Sequence, residues 1–137
     1  MNETGRTIAR AEASIGAVAY ETTITSGKHV IISDEPESGG GKDAGAAPFG
    51  LLLASLGACT AMTLKMYAER KQWPLENVGV ALRYYKDGDA AKIDRILSIA
   101  GALDETKIAR LADIAERTPV TLAIKNGLPI ETSVQPK

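Results

Sequence analysis

The strongest nucleophile in this 137-residue chain is a thiol, and it occurs once, at Cys59. A cysteine attacks as its thiolate, so a reactive Cys59 needs a cation or a helix N-terminus beside it to lower its pKa. The only imidazole is His29. One cysteine and one histidine cannot build a zinc finger, an iron–sulfur cluster or another Cys/His metal site, so neither a metal nor a cofactor is expected. A lone thiol cannot close an intrachain disulfide, which fits a reducing compartment and leads us to expect a cytoplasmic protein.

Other polar residues read as less reactive. His29 stands in a strand beside a turn, where nothing ties it to Cys59, and it reads as a surface histidine. Asp34, Glu35 and Glu37 could face a cation, but their spacing suits a solvated loop. Tyr84-Tyr85 place one ring on each face of a strand. Gly41-Lys42 is not a P-loop, because Pro36 stands where the first glycine belongs and Asp43 where a Ser or Thr would bind magnesium.

The elements that must position Cys59 follow from the hydrophobic pattern. Residues 6–13, 17–25 and 29–32 read as three strands, the last two joined by a turn at Ser26-Gly27-Lys28. Residues 33–47, with the run Gly39-Gly40-Gly41, read as a loop. Pro48 opens a helix predicted over about 48–72, because proline costs nothing in a first turn. Phe49 to Leu64 carry no charge, the basic Lys65, Arg70 and Lys71 lie toward the negative end of the helix dipole, and Trp73-Pro74 stops the helix. Residues 77–86 read as a strand, Lys86-Asp87-Gly88-Asp89 as a hairpin turn, and Lys92 to Gly101 as the return strand, with its phase slipping between Ile96 and Leu97. Asp104 caps a second helix over 105–117, which Thr118-Pro119 ends. Asn126-Gly127 is a turn and Leu128 to Val134 a final strand. The order β-β-β-α-β-β-α-β is an α+β fold of antiparallel strands around two helices, in a single domain over residues 1–137.

Composition narrows the partners. Seventeen acidic residues nearly cancel sixteen basic ones, and aromatics are 4% of the chain. Neither a nucleic acid nor an anionic membrane is expected to bind a surface so nearly neutral. The uncharged run from Ala44 is long enough to raise a membrane span, but Gly50, Ser55, Gly57, Thr60 and Thr63 dilute its hydrophobicity. The first 20 residues, with Glu3, Arg6, Arg10 and Glu12, lack the apolar core of a signal peptide. A helix apolar on nearly every face must be covered on nearly every face. A second copy of the chain is the simplest cover, so an obligate homodimer is expected, with Gly50, Gly57, Ala54, Ala58 and Ala61 allowing close approach.

The helix sequence carries a resemblance. Residues 34–40 and the stretch from Pro48 through Leu56-Gly57-Ala58-Cys59-Thr60-Ala61-Met62-Thr63-Leu64 to Trp73-Pro74-Leu75-Glu76 are similar to the OsmC/Ohr family, the osmotically inducible and organic hydroperoxide resistance proteins. The resemblance runs over about residues 15–134. It implies an intertwined homodimer with central helices and strands from both chains. It also implies a chemistry, in which a cysteine on this helix attacks an organic hydroperoxide, becomes a sulfenic acid and is resolved by a second cysteine. Cys59 matches the attacking cysteine.

Four positions depart from the family pattern. Thr118 stands where the second cysteine belongs and Thr121 where a histidine follows it. Phe49 and Gly50 fill the positions of a carboxylate that orients an activating arginine. Arg6 and Arg10 are candidates for that arginine, and Arg117 could raise the local positive potential. The resemblance therefore implies a one-cysteine hydroperoxide reductase using an external thiol, or Cys59 of the second subunit, as reductant. The alternative is a lapsed member that keeps the fold to bind a small hydrophobic ligand or to serve a structural role.

Overall fold

The structure, a computed structural model, describes residues 5–136. The described residues form two compact units, one of residues 5–51 with 129–136 and one of residues 52–128. In the first, β1 (Glu12–Ile15), β2 (Thr22–Ser26) and β3 (His29–Ser33) make an antiparallel sheet in sequential order. The first strand thus lies later than the alternation over 6–13 suggests. The tight turn at Gly27 uses a positive φ of 59°, which glycine adopts at no steric cost. His29 is exposed and pairs across the turn with Ser26.

The segment after β3 is not the solvated loop expected from its composition. Asp34 is buried. Its carboxylate accepts hydrogen bonds from the main-chain N–H groups of Glu35 (2.8 Å), Lys42 (3.1 Å) and Ala44 (3.1 Å). Ser33 Oγ donates to the carbonyl of Ala46 at 2.7 Å. A Cβ at Gly41 or Gly45 would collide with the carbonyls of Glu35 or Ile32, so glycine lets the chain fold back on itself here. The N–H groups around Asp34, Ala44 foremost, hold its pKa below the usual carboxylate value against the opposing effect of burial.

The second unit is built on α1 (Pro48–Lys71), whose first four residues lie in the first unit. This helix is long and apolar enough by composition to cross a membrane. In the protein, Leu56, Thr60, Leu64 and Ala68, each four residues from the next, are buried along one stripe. Gln72, at φ 59°, turns the chain out of the helix, and Trp73 N–H closes the end by donating to the Ala68 carbonyl at 2.8 Å.

Next come β4 (Leu75–Asp87) and β5 (Ala90–Gly101), an antiparallel hairpin turning at Gly88. Ile93, Arg95, Leu97, Ile99 and Gly101 are the half-buried positions of β5, and Ile96 is exposed. The alternation therefore never slips, and an arginine occupies an apolar-phase position. Two short helices follow, α2 (Glu105–Ala115) and α3 (Pro119–Asn126). Asp104 caps α2 by accepting from Lys107 N–H at 2.9 Å. The core joins Leu64 and Ala68 to Leu75, Leu111 and Ala115.

The expectation of two helices needs correction, because Thr118-Pro119 starts a helix rather than merely stopping one. The Thr118 hydroxyl caps α3 and Pro119 takes its first position, where no N–H is needed. Residues 127–136 run without a ladder partner among the described residues, so the final strand predicted over 128–134 is unpaired in this chain. Leu128, Ile130 and Val134 are exposed there. At Gly57 another element does approach closely, since a Cβ there would lie 2.9 Å from Leu82 Cδ1 of β4. The close approach at this glycine comes from the chain's own hairpin.

Candidate functional site

Cys59 sits at the middle of α1 with its side chain partly exposed. Its sulfur lies 4.0 Å from Thr63 Oγ1, one helical turn on. Thr60, the next residue, faces a different environment, because each residue of an α-helix is rotated by about 100° from the last. Thr60 is fully buried and donates its hydroxyl to the Leu56 carbonyl at 2.7 Å.

Thr60 also accepts from Arg95, the residue at the centre of this region. One terminal nitrogen of Arg95 donates to Thr60 Oγ1 at 3.0 Å and to Thr121 Oγ1 at 2.9 Å. The other donates to the Ala115 carbonyl at 2.9 Å and to Glu116 Oε2 at 3.4 Å. The Arg95 side chain is only 11% exposed, so its charge is nearly withdrawn from water. Such a burial is tolerated because the planar fork is satisfied on both sides. Ala115 ends α2, where unpaired carbonyls and the negative end of the dipole favour a cation. Arg95 therefore ties β5 to α1, to the end of α2 and to the start of α3.

The threonines complete this network. Thr118 and Thr121 are buried, with their hydroxyl oxygens 2.6 Å apart. Thr121 also donates to the Ala115 carbonyl at 3.3 Å, and its own N–H donates to Thr118 Oγ1 at 3.4 Å. No buried side-chain nitrogen or oxygen among the described residues lacks a partner. Thr118 and Thr121 are thus parts of one satisfied hydroxyl–guanidinium cluster.

Beside it lies a cavity of about 520 Å³ lined by Leu52, Tyr84, Ile93, Ile124 and other residues, with Lys92, Arg95, Lys125 and Glu116 supplying charge. Glu116 accepts from Lys125 Nζ at 2.7 Å. That bond, with the nearby positive charges of Lys125 and Arg95, holds the Glu116 carboxyl below its usual pKa despite partial burial.

The residues singled out in the sequence fall in both units. Cys59 is on the central helix as predicted. His29 and Arg10 belong to the first unit, where the Arg10 carbonyl accepts from Ser26 Oγ at 2.8 Å. Arg117 is engaged with Asp113 at 2.6 Å, one turn back at the end of α2. Arg95 was missed, and its signal was an arginine in phase with Ile93, Leu97 and Ile99.

Comparison with known proteins agrees with this architecture. The family model for OsmC-like protein matches residues 39–133. The OsmC-like protein of Mycoplasma pneumoniae superposes with a TM-score of 0.75 at 19% identity, over 87% of this chain and 88% of that one. The organic hydroperoxide resistance protein OsmC of Legionella pneumophila gives 0.67 at 20% identity, over 89% and 92%. The organic hydroperoxide resistance protein OhrB of Bacillus subtilis gives 0.60 at 23% identity, over 87% and 91%. No curated protein matches the chain. With its α+β fold, its cysteine on the central helix and a family match over most of its length, the chain belongs to the OsmC-like family.

Proposed function

We propose that this protein is a one-cysteine organic hydroperoxide reductase, working as a homodimer in a reducing compartment such as the cytoplasm, with Cys59 as the attacking thiol. The observation that carries the reading is the placement of Cys59. The thiol is partly exposed at the middle of a helix whose next residue is anchored in the Arg95 network. It is held in a fixed place without being absorbed into the core. The hydroperoxide resistance named for the Legionella and Bacillus proteins supports the substrate class.

The chemistry balances with one thiol and an external reductant. The Cys59 thiolate attacks one peroxide oxygen, an S–O bond forms as O–O breaks, and the alkoxide leaves as an alcohol after taking a proton. Cys59 is oxidised to a sulfenic acid and the peroxide is reduced. Thr118 has no sulfur, so an external thiol displaces water to give a mixed disulfide. A second thiol then releases Cys59 and leaves with the first as a disulfide.

The homodimer rests on the uncovered apolar surface. Met62 and Met66 are exposed on α1, and Leu128 is exposed beyond α3. A stable folded monomer in sedimentation at low concentration would contradict it.

A second reading is favoured by Arg95, whose four hydrogen bonds all go to groups other than Cys59. A chain whose buried arginine serves the core can keep the fold without the reaction, binding a small hydrophobic ligand or serving a structural role. Consumption of cumene hydroperoxide with a dithiol decides between the two. The first reading predicts turnover that Cys59→Ser abolishes, and equal rates for both proteins would remove it.

A further inference from the structure

We propose that the cavity between the β4–β5 hairpin and α3 binds a small amphipathic carboxylate, with its apolar tail inside and its head group against Lys92 and Lys125. This site does not include Cys59, and the inference holds whichever of the two readings above is right.

The argument begins with the shape. At about 520 Å³ the cavity falls within the range of small-molecule sites, roughly 300–1,000 Å³. Leu52 of α1, Tyr84 of β4, Ile93 of β5 and Ile124 of α3 give it apolar walls. All of these residues belong to the second unit.

Charge then selects the ligand. Three cations line the cavity, Lys92, Arg95 and Lys125, against the single carboxylate of Glu116. Glu116 is already neutralised, by Lys125 at 2.7 Å and Arg95 at 3.4 Å. Arg95 is committed to Thr60, Thr121 and Ala115. Lys125 spends two contacts on Glu116, its carboxylate and its carbonyl, and an ammonium has three donors. Lys92 meets only Asp87 among the contacts described, at 3.3 Å in an exposed pair that is weak and easily exchanged. Each ammonium therefore retains donor capacity in a lining with more cations than carboxylates. A carboxylate is drawn to this excess of positive charge, whereas a cation would meet repulsion and an alcohol would gain little from it.

The test is calorimetric titration of the full chain with octanoate, octanol and octylamine. The expected result is octanoate binding at least tenfold more tightly than octanol, with no binding of octylamine. In the Lys92→Gln/Lys125→Gln double variant, octanoate should fall to the affinity of octanol while octanol itself is unchanged, which shows the cavity intact. The Cys59→Ser protein should bind octanoate like the parent, so loss of turnover and loss of this site are distinguishable. Equal affinity for octanoate and octanol, octylamine binding, or no binding of any of the three (as when a second copy fills the cavity) would overturn the proposal.

Discussion

Cys59 and Thr60 are neighbours on one helix, yet they occupy opposite kinds of surroundings. Thr60 is fully buried and held on two sides, by the Leu56 carbonyl and by Arg95. Cys59 is partly exposed, with a single long contact to Thr63. The same rigid helix places one side chain in the most polar part of the core and leaves the other approachable. The difference teaches that the fold and the candidate chemistry depend on different residues. The Arg95 cluster holds α1, β5, α2 and α3 together, while the thiol contributes little to that cohesion.

The sharpest way to break this comparison is to remove Arg95. Arg95→Leu takes away four hydrogen bonds at once and leaves the Ala115 carbonyl with only the 3.3 Å bond from Thr121. We expect a loss of about 2–4 kcal/mol, because a buried network is costly to leave half satisfied. Urea unfolding measures it, and a loss below about 0.5 kcal/mol would show that the cluster is not a structural anchor.

Acid should loosen the buried network around Asp34. Asp34 is the buried carboxylate of that network. Its folded pKa is lowered by the Ala44, Lys42 and Glu35 N–H groups. The stability it contributes is therefore present above the unfolded value of about 3.9 and is lost as pH falls through the lower folded value. Amide exchange at Lys42 and Ala44 should accelerate over that fall, and Asp34→Asn should remove the pH dependence. Unchanged protection of both amides down to pH 2 would contradict it.

The smallest expected change in stability is at the thiol. Cys59→Ser should alter the unfolding free energy by about 0.5 kcal/mol or less, since its one contact is long and its side chain is not fully buried. A loss comparable with that of Arg95→Leu would place Cys59 in the core after all.

How much of this was legible in the sequence depended on how local the signal was. Pro48, the basic last turn of α1, the Lys86–Asp89 turn and the Asp104 cap each announce themselves through a few adjacent residues, and each stands where it was expected. Thr118-Pro119 has the same local signal, but a proline after a helix reads as an end, and here it is also a beginning. Arg95 was hidden because its partners lie 20 to 35 residues away in the chain. Ile96 beside Leu97 makes the phase look slipped, which conceals that Arg95 shares the phase of Ile93 and Leu97. Asp34 was hidden for a related reason, since its partners are main-chain N–H groups brought round by the folding of a glycine-rich segment. Cys59 itself was found by composition and motif, yet only the structure shows that its helical neighbour, and not the thiol, holds the arginine.

The most direct test of that separation is to treat the protein with one equivalent of cumene hydroperoxide in the presence of dimedone and read Cys59 by mass spectrometry. The account predicts a dimedone adduct on Cys59, the mark of a sulfenic acid formed at an approachable thiol. An unmodified Cys59 with the peroxide intact would contradict it.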